Sequence, residues 1–240
     1  GLTDTLVCGS DETSLKTAKN SYNALTAEAK AALGRIDTHC YSDNNQSNKE
    51  ALVTTAKAAD KNLWMSEVDG SYTAGDVAGD MKAAHGLAMQ IIDDLRFLRP
   101  SAWCIWDIID SHISAAGYNG NKDGGAPNTS GGYWGIATAD HDNQQIIPWK
   151  KYYGYAQFTR YIRPGYVVVP ITETMSHIAA YSAEEKKLVV VGVQRGTKDQ
   201  YVKLDLSNFS KMPTSARVVR TSGNLADGEN LRSEEHTSEL

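Results

Sequence analysis

The chain has 240 residues, 41% hydrophobic and 22% charged, which places it among ordinary globular proteins rather than disordered or membrane-embedded ones. Its formal net charge of −5 offers no basic footprint for nucleic acid, and no apolar run approaches the length of a bilayer span. Twelve Tyr and five Trp against three Phe supply flat apolar faces with polar handles, a mixture suited to sugars.

Residues 6–10 read as a strand, followed by the acidic pair Asp11 and Glu12. Leu15, Ala18, Tyr22, Leu25, Ala29 and Ala32 recur at steps of three and four, which predicts an amphipathic helix stopped by Gly34. Residues 36–41 form a second strand. Ser47 and Glu50, at capping-box spacing, start a second helix carrying Leu52, Thr55, Ala56 and Ala59. The stretch LWMSEVDG, from Leu63 to Gly70, begins apolar, turns polar at Ser66 and delivers Glu67 where a buried strand runs out. Alternation puts Leu63, Met65 and Glu67 on one face, with Trp64 and Ser66 on the other. Met81, Ala84, Ala88, Ile91, Leu95 and Leu98 predict a third helix, ended by Pro100. Residues 102–109 are a fourth strand, with Trp103 and Trp106 of opposite parity: Trp106 faces the open end and Trp103 lies under the helices.

A Gly- and Asn-rich loop over 111–132 comes next, of a length that is usually functional or disordered. A hairpin over 135–147 turns at 140–143, and a helix over 149–163 is closed by Pro164 and Gly165. Strand followed by helix, four times over, predicts a parallel sheet with helices outside it. From residue 166 the period changes to short strands at 166–171, 178–182, 187–194, 201–205 and 216–221, an antiparallel sheet unit. Residues 188–193 are apolar enough for its central strand.

Four βα units are half of the eight that close a barrel, and GSDETS after the first strand is no phosphate-binding turn. Residues 1–165 therefore read as the second half of a (β/α)8 TIM barrel, and residues 166–231 as part of an antiparallel β-sandwich, with the boundary near Pro164. Residues 232–240, RSEEHTSEL, show no periodicity and look like the in-frame translation of a sequencing-library adapter, so they read as a non-native tail. Cys8, Cys40 and Cys104 sit in strands without CxxC or Cys/His ligand spacing, which predicts small buried core residues and no metal site. No cofactor is expected.

SDETS, DTHCY, LWMSEVDG, WCIWDIID, WGIATADHD and YAQFTRYIRPG occur in that order with strand–helix spacing between them. Together they resemble the C-terminal part of glycoside hydrolase family 30, and more closely its endo-β-1,6-galactanase-like branch, over roughly residues 1–195. The resemblance implies a (β/α)8 barrel with a β-sandwich at its side and a retaining hydrolase. It implies a Glu nucleophile at the end of the seventh strand, matched here at Glu67, and a general acid/base after the fourth strand, at a position before Gly1. Retention needs both carboxyl groups, about 5–5.5 Å apart, so the 240 residues alone are expected to be inactive.

Tyr41 takes, by resemblance, the role of hydrogen-bond donor to the nucleophile. His39 shares its strand parity and is either a partner of a sugar hydroxyl or a satisfied structural residue. Trp106 is the candidate for stacking on a sugar ring. Asp11 and Glu12 either line the cleft or cap the helix that follows, cleft contact being the preferred reading. The expected partner is a polysaccharide or oligosaccharide, with no nucleic acid and no membrane span; the full-length protein is expected to be a monomer. By resemblance it works in an extracellular, cell-surface or periplasmic setting, although no signal region is visible in this chain. Action on xylan or β-1,6-glucan, or a barrel that binds carbohydrate without catalysis, are the competing readings.

Overall fold

A computed structural model describes residues 4–69, 81–118, 121–124, 134–172, 176–211, 213 and 215–236. Gly70 and most of the later part of the 111–132 loop lie outside them. The chain opens with β1 (Val7–Ser14), α1 (Leu15–Ala24), α2 (Ala27–Ala32), β2 (Leu33–Ser42), α3 (Gln46–Ala58) and β3 (Asn62–Glu67). Next come α4 (Met81–Asp93), a π-helical turn (Asp94–Leu98) and β4 (Ala102–Trp103). The four strands form one parallel sheet in the order β1-β2-β3-β4.

Local chemistry sets these elements, at several points differently from the sequence reading. The first predicted helix is two: Thr26 accepts a hydrogen bond from the Ala29 amide and caps α2, so the stripe breaks at Leu25. Gly34 does not stop a helix but lies inside β2, where a Cβ would come within 2.8 Å of the Leu6 Cβ. Asn45, not Ser47, caps α3 by accepting from the Asn48 amide at 3.0 Å. The fourth predicted strand is short, but its hydrogen bonds to β3 continue: the amides of Ser101, Cys104 and Trp106 donate to Leu63, Met65 and Val68.

The sequence after β4 contains more strand than the loop reading expected. Strands β5 (Ile109–Tyr118), β6 (Asn121–Gly124), β7 (Ala137–Asp140) and β8 (Gln145–Pro148) form a sheet in the order β6-β5-β7-β8, in which β7 and β8 are the predicted hairpin. Helix α5 (Lys150–Thr159) packs on α4 through Gly154, where a Cβ would lie 2.9 Å from that of Ala84.

The period change after α5 is real. Strands β9 (Val167–Val169), β10 (His177–Ser182) and β11 (Lys187–Gly192) form an antiparallel sheet in which β10, not β11, is central. Residues 201–206 carry no strand, and Tyr201 is 98% exposed. Strands β12 (Ala216–Ser222) and β13 (Glu229–His236) pair antiparallel. Residues 232–236, read from sequence as the start of an unrelated tail, therefore continue β13 opposite β12.

Two apolar cores organise the molecule. One packs Leu15, Ala18 and Leu52 of the helices against Ile36, Cys40, Leu63, Met65 and Val68 of the parallel sheet. The other joins Leu87, Ile91 and Ile92 of α4 and Phe158 of α5 to Ile178 and Val191 of the antiparallel sheet. Trp103 touches both. The two cores draw on different helices and meet at Trp103.

Candidate active site

The site forms where β1, β2 and β3 end side by side. Parallel strands bring their C-terminal ends to one edge, so Asp11, His39, Tyr41 and Glu67, distant in sequence, become neighbours. The Tyr41 hydroxyl donates to Glu67 Oε1 at 3.0 Å. His39 Nδ1 stands 3.6 Å from the same oxygen, and His39 Nε2 stands 3.2 Å from Asp11 Oδ1. The His39 and Tyr41 rings meet edge to face with centroids 5.7 Å apart, so each restricts the other.

Simple alternation does not place Glu67 here. Leu63, Met65 and Val68 all belong to the helix-facing core, which leaves two consecutive residues, Ser66 and Glu67, for the opposite face. The reason is a register slip. Thr38 pairs with Met65 but His39 pairs with Glu67, so Ser66 is an extra residue on β3. The expected grouping of Glu67 with Leu63 and Met65 is corrected accordingly.

Tyr41 is held as a donor. Burial pushes its hydroxyl well above the usual tyrosine range, and the bond to Glu67 and the charges of Glu67, Asp69 and Asp107 push further in that direction. A hydroxyl that does not ionise keeps its own proton and directs it at the carboxylate it faces.

The remaining candidates separate. Trp106 is 49% exposed, and its amide donates to the carbonyl of Val68, next to Glu67 in sequence, so its backbone stands beside the carboxylate strand end. Trp103 lies on the helix side and donates from Nε1 to Asp94 at 2.8 Å, as parity predicted. Asp11 joins the strand-end cluster, accepting from Ser66 Oγ at 2.5 Å. Glu12 is not: Ser21 of α1 donates to it at 2.7 Å, so it serves the helix, while Ser14 caps that helix. Cys40 is buried, but Cys8 is exposed, against the expectation of a buried trio.

Sequence reasoning missed Ser66, Asp69 and Asp107. Each lies one or two residues from a residue it had singled out, at the end of a strand, which was the available signal. Deeper on the same face, Arg35 stacks 3.4 Å over the Trp64 ring and donates to Asp37 at 3.0 Å, a charged layer below the carboxylate cluster. Among the described residues no three His, Cys, Asp or Glu side chains are grouped to hold a metal ion. No helix among them is long and apolar enough to cross a membrane.

No family model matches the chain. It is 28% identical over 229 residues to an endo-beta-1,6-galactanase from Hypocrea rufa, covering 95% of this chain and 41% of that protein. It is 26% identical over 268 residues to an exo-beta-1,6-galactobiohydrolase from Bifidobacterium longum subsp. longum, covering 99% of this chain and 17% of that protein. The chain thus spans less than half the length of these curated relatives. In fold it is similar to a GH30 endoxylanase from Clostridium papyrosolvens C71, with a TM-score of 0.63 and 19% identity over 97% of this chain and 50% of that one.

Proposed function

We propose that this chain, a galactanase-like relative of glycoside hydrolase family 30, carries the nucleophile of a retaining endo-glycosidase that cleaves β-1,6-linked galactan side chains. On this reading residues 1–165 are the second half of a (β/α)8 barrel and residues 166–231 part of a β-sandwich at its side. The general acid/base comes from outside these 240 residues. The observation that carries the reading is the Tyr41 hydrogen bond to Glu67 at the C-terminal ends of adjacent parallel strands, the edge where barrel enzymes build their sites.

In the first step Glu67 attacks the anomeric carbon as the glycosidic C–O bond breaks, and the departing oxygen takes a proton from the general acid. A covalent galactosyl-enzyme results. In the second step water, deprotonated by the same acid/base residue, displaces Glu67 and restores the original anomeric configuration. Tyr41 fixes which Glu67 oxygen is hydrogen-bonded and favours the ionised carboxylate. The half-exposed Trp106 offers a ring face to a pyranose, and His39 lies within reach of a sugar hydroxyl. The substrate is a polysaccharide met outside the cytoplasm, at the cell surface or in the periplasm, by a monomeric enzyme. Both named relatives act on β-1,6-galactan linkages, which supports galactan over other polymers.

The test compares release of short oligosaccharides from β-1,6-galactan, xylan and β-1,6-glucan by the full-length protein that carries this chain. Galactan is expected to be cleaved fastest, and Glu67→Gln to lower that rate by several orders of magnitude with the fold intact. Faster release from xylan or glucan would move the protein to that substrate. Tight galactan binding without turnover would make it a carbohydrate-binding barrel.

A further inference from the structure

We propose that Asp11 is a positioning residue for Glu67, acting through Ser66 and His39 rather than by touching the sugar. The proposal rests on the reading of Glu67 as nucleophile. Two strands carry an extra residue at the same level of the sheet. On β1, Ser10 pairs with Asp37 and Glu12 with Thr38, which leaves Asp11 unpaired; on β3, Ser66 is left unpaired between Met65 and Glu67. A bulge re-aims a side chain, and bulges gather next to active sites. Here the two bulged residues meet across β2: Ser66 Oγ donates to Asp11 Oδ1 at 2.5 Å. Asp11 adopts a left-handed backbone with φ of 59°, a conformation that Asp tolerates better than most residues.

The same Asp11 oxygen stands 3.2 Å from His39 Nε2, while His39 Nδ1 faces Glu67 Oε1 at 3.6 Å. His39 is 8% exposed and its ring is braced by Tyr41, so it transmits a position. Asp11 therefore reaches the nucleophile by two routes, a hydrogen bond to Ser66 on β3 and a charge contact with the imidazole, whose buried nitrogens make no hydrogen bond of their own among the described residues. Both ring nitrogens face carboxylates, but Asp11 stands nearer to Nε2, at 3.2 Å, than Glu67 does to Nδ1, at 3.6 Å, so of the two neutral tautomers the one with hydrogen on Nε2 carries the smaller lone-pair repulsion.

The test uses the full-length protein and a dinitrophenyl β-1,6-galactobioside, whose leaving group needs no acid. The burst of dinitrophenol gives the rate constant of the first chemical step and the substrate Kd separately. Asp11→Ala is expected to slow the step about tenfold to a hundredfold, the scale of a misplaced reacting group, with Kd nearly unchanged. Asp11→Asn keeps an acceptor oxygen and should recover most of the rate; Ser66→Ala should show a smaller loss of the same kind. A raised Kd with the rate retained would make Asp11 a sugar ligand and overturn the proposal, as would an unchanged Asp11→Ala. Ring-nitrogen chemical shifts of His39 in the unmutated protein give a readout that requires no variant to fold: neutral His39 is expected to carry its hydrogen on Nε2. Hydrogen on Nδ1 overturns the proposal. Full activity of Glu67→Gln beside the expected tautomer would instead overturn the nucleophile reading.

Discussion

A carboxylate that attacks an anomeric carbon has to be ionised and held still, and the residues around Glu67 address both needs. Tyr41 is a neutral donor whose own ionisation is pushed out of reach, chiefly by burial, so its bond to Glu67 persists across the working pH range. Removing it with Tyr41→Phe deletes a hydrogen bond to a charged group, typically worth about 1.5–3 kcal/mol. The first chemical step is expected to slow by roughly ten- to a hundredfold, with the loss in rate and not in substrate affinity. A raised KM at unchanged kcat would assign Tyr41 to sugar binding. Glu67, Tyr41 and His39 were legible in the sequence because strand ends and motif order mark them. Ser66 was not, because a bulge adds one residue to a strand without any residue type that announces it. Glu12 was misread because its partner, Ser21, becomes its neighbour only once α1 has folded back along β1.

At the scale of elements, long amphipathic stripes and turn residues located most strands and helices. What they missed were a second cap at Thr26, the strands β5 and β6 inside a stretch read as a loop, the exchange of central and edge strand between β10 and β11, and β13, while the strand expected at 201–205 is absent. The β12–β13 pair is held by charge. Hydrogen bonds from Arg220 first, then from Ser222, lower the Glu229 carboxyl from 4.5 to about 2. Its folded value lies below its unfolded one, so its contribution to stability is present above pH 4.5 and is lost as pH falls toward 2. Glu229→Gln is expected to flatten the acid limb of hairpin stability in that window, measured by hydrogen exchange of residues 216–236. An unchanged acid limb would remove Glu229 from the account. Lys150, fully buried on α5, donates to the carbonyls of Ser222 and Glu229 and to Asn230 at 2.7, 2.9 and 2.7 Å. Lys150→Met leaves these three acceptors without their donor and should cost at least about 3 kcal/mol, each orphaned group being worth about 1–3. Loss of exchange protection confined to the hairpin would locate that cost at its docking on α5.

At the scale of the whole molecule, the parallel sheet is buried by helices on one face and carries a charged, partly open layer on the other. Its border at β1 is apolar: Leu6 is 67% exposed and Val7 60%. Trp103 and Ile105 are packed instead against the two cores, Trp103 on both and Ile105 on the second. Open apolar strand edges are templates for association. The 240-residue chain by itself is therefore expected to aggregate and to be inactive on galactan, measured by light scattering and sugar release. A monodisperse chain that hydrolyses galactan efficiently would contradict the half-barrel reading. Activity on the dinitrophenyl glycoside alone would mean that the half folds and lacks only the acid.

The proposed function turns on the covalent role assigned to Glu67. The most direct measurement is trapping with a 2-deoxy-2-fluoro-β-galactobioside bearing a dinitrophenyl leaving group, in the full-length protein, followed by peptide mapping. The account predicts one fluorogalactobiosyl group per protein, attached as an ester at Glu67. Attachment at any other residue, Asp11 included, or loss of configuration at the anomeric carbon without a trapped ester, would contradict it.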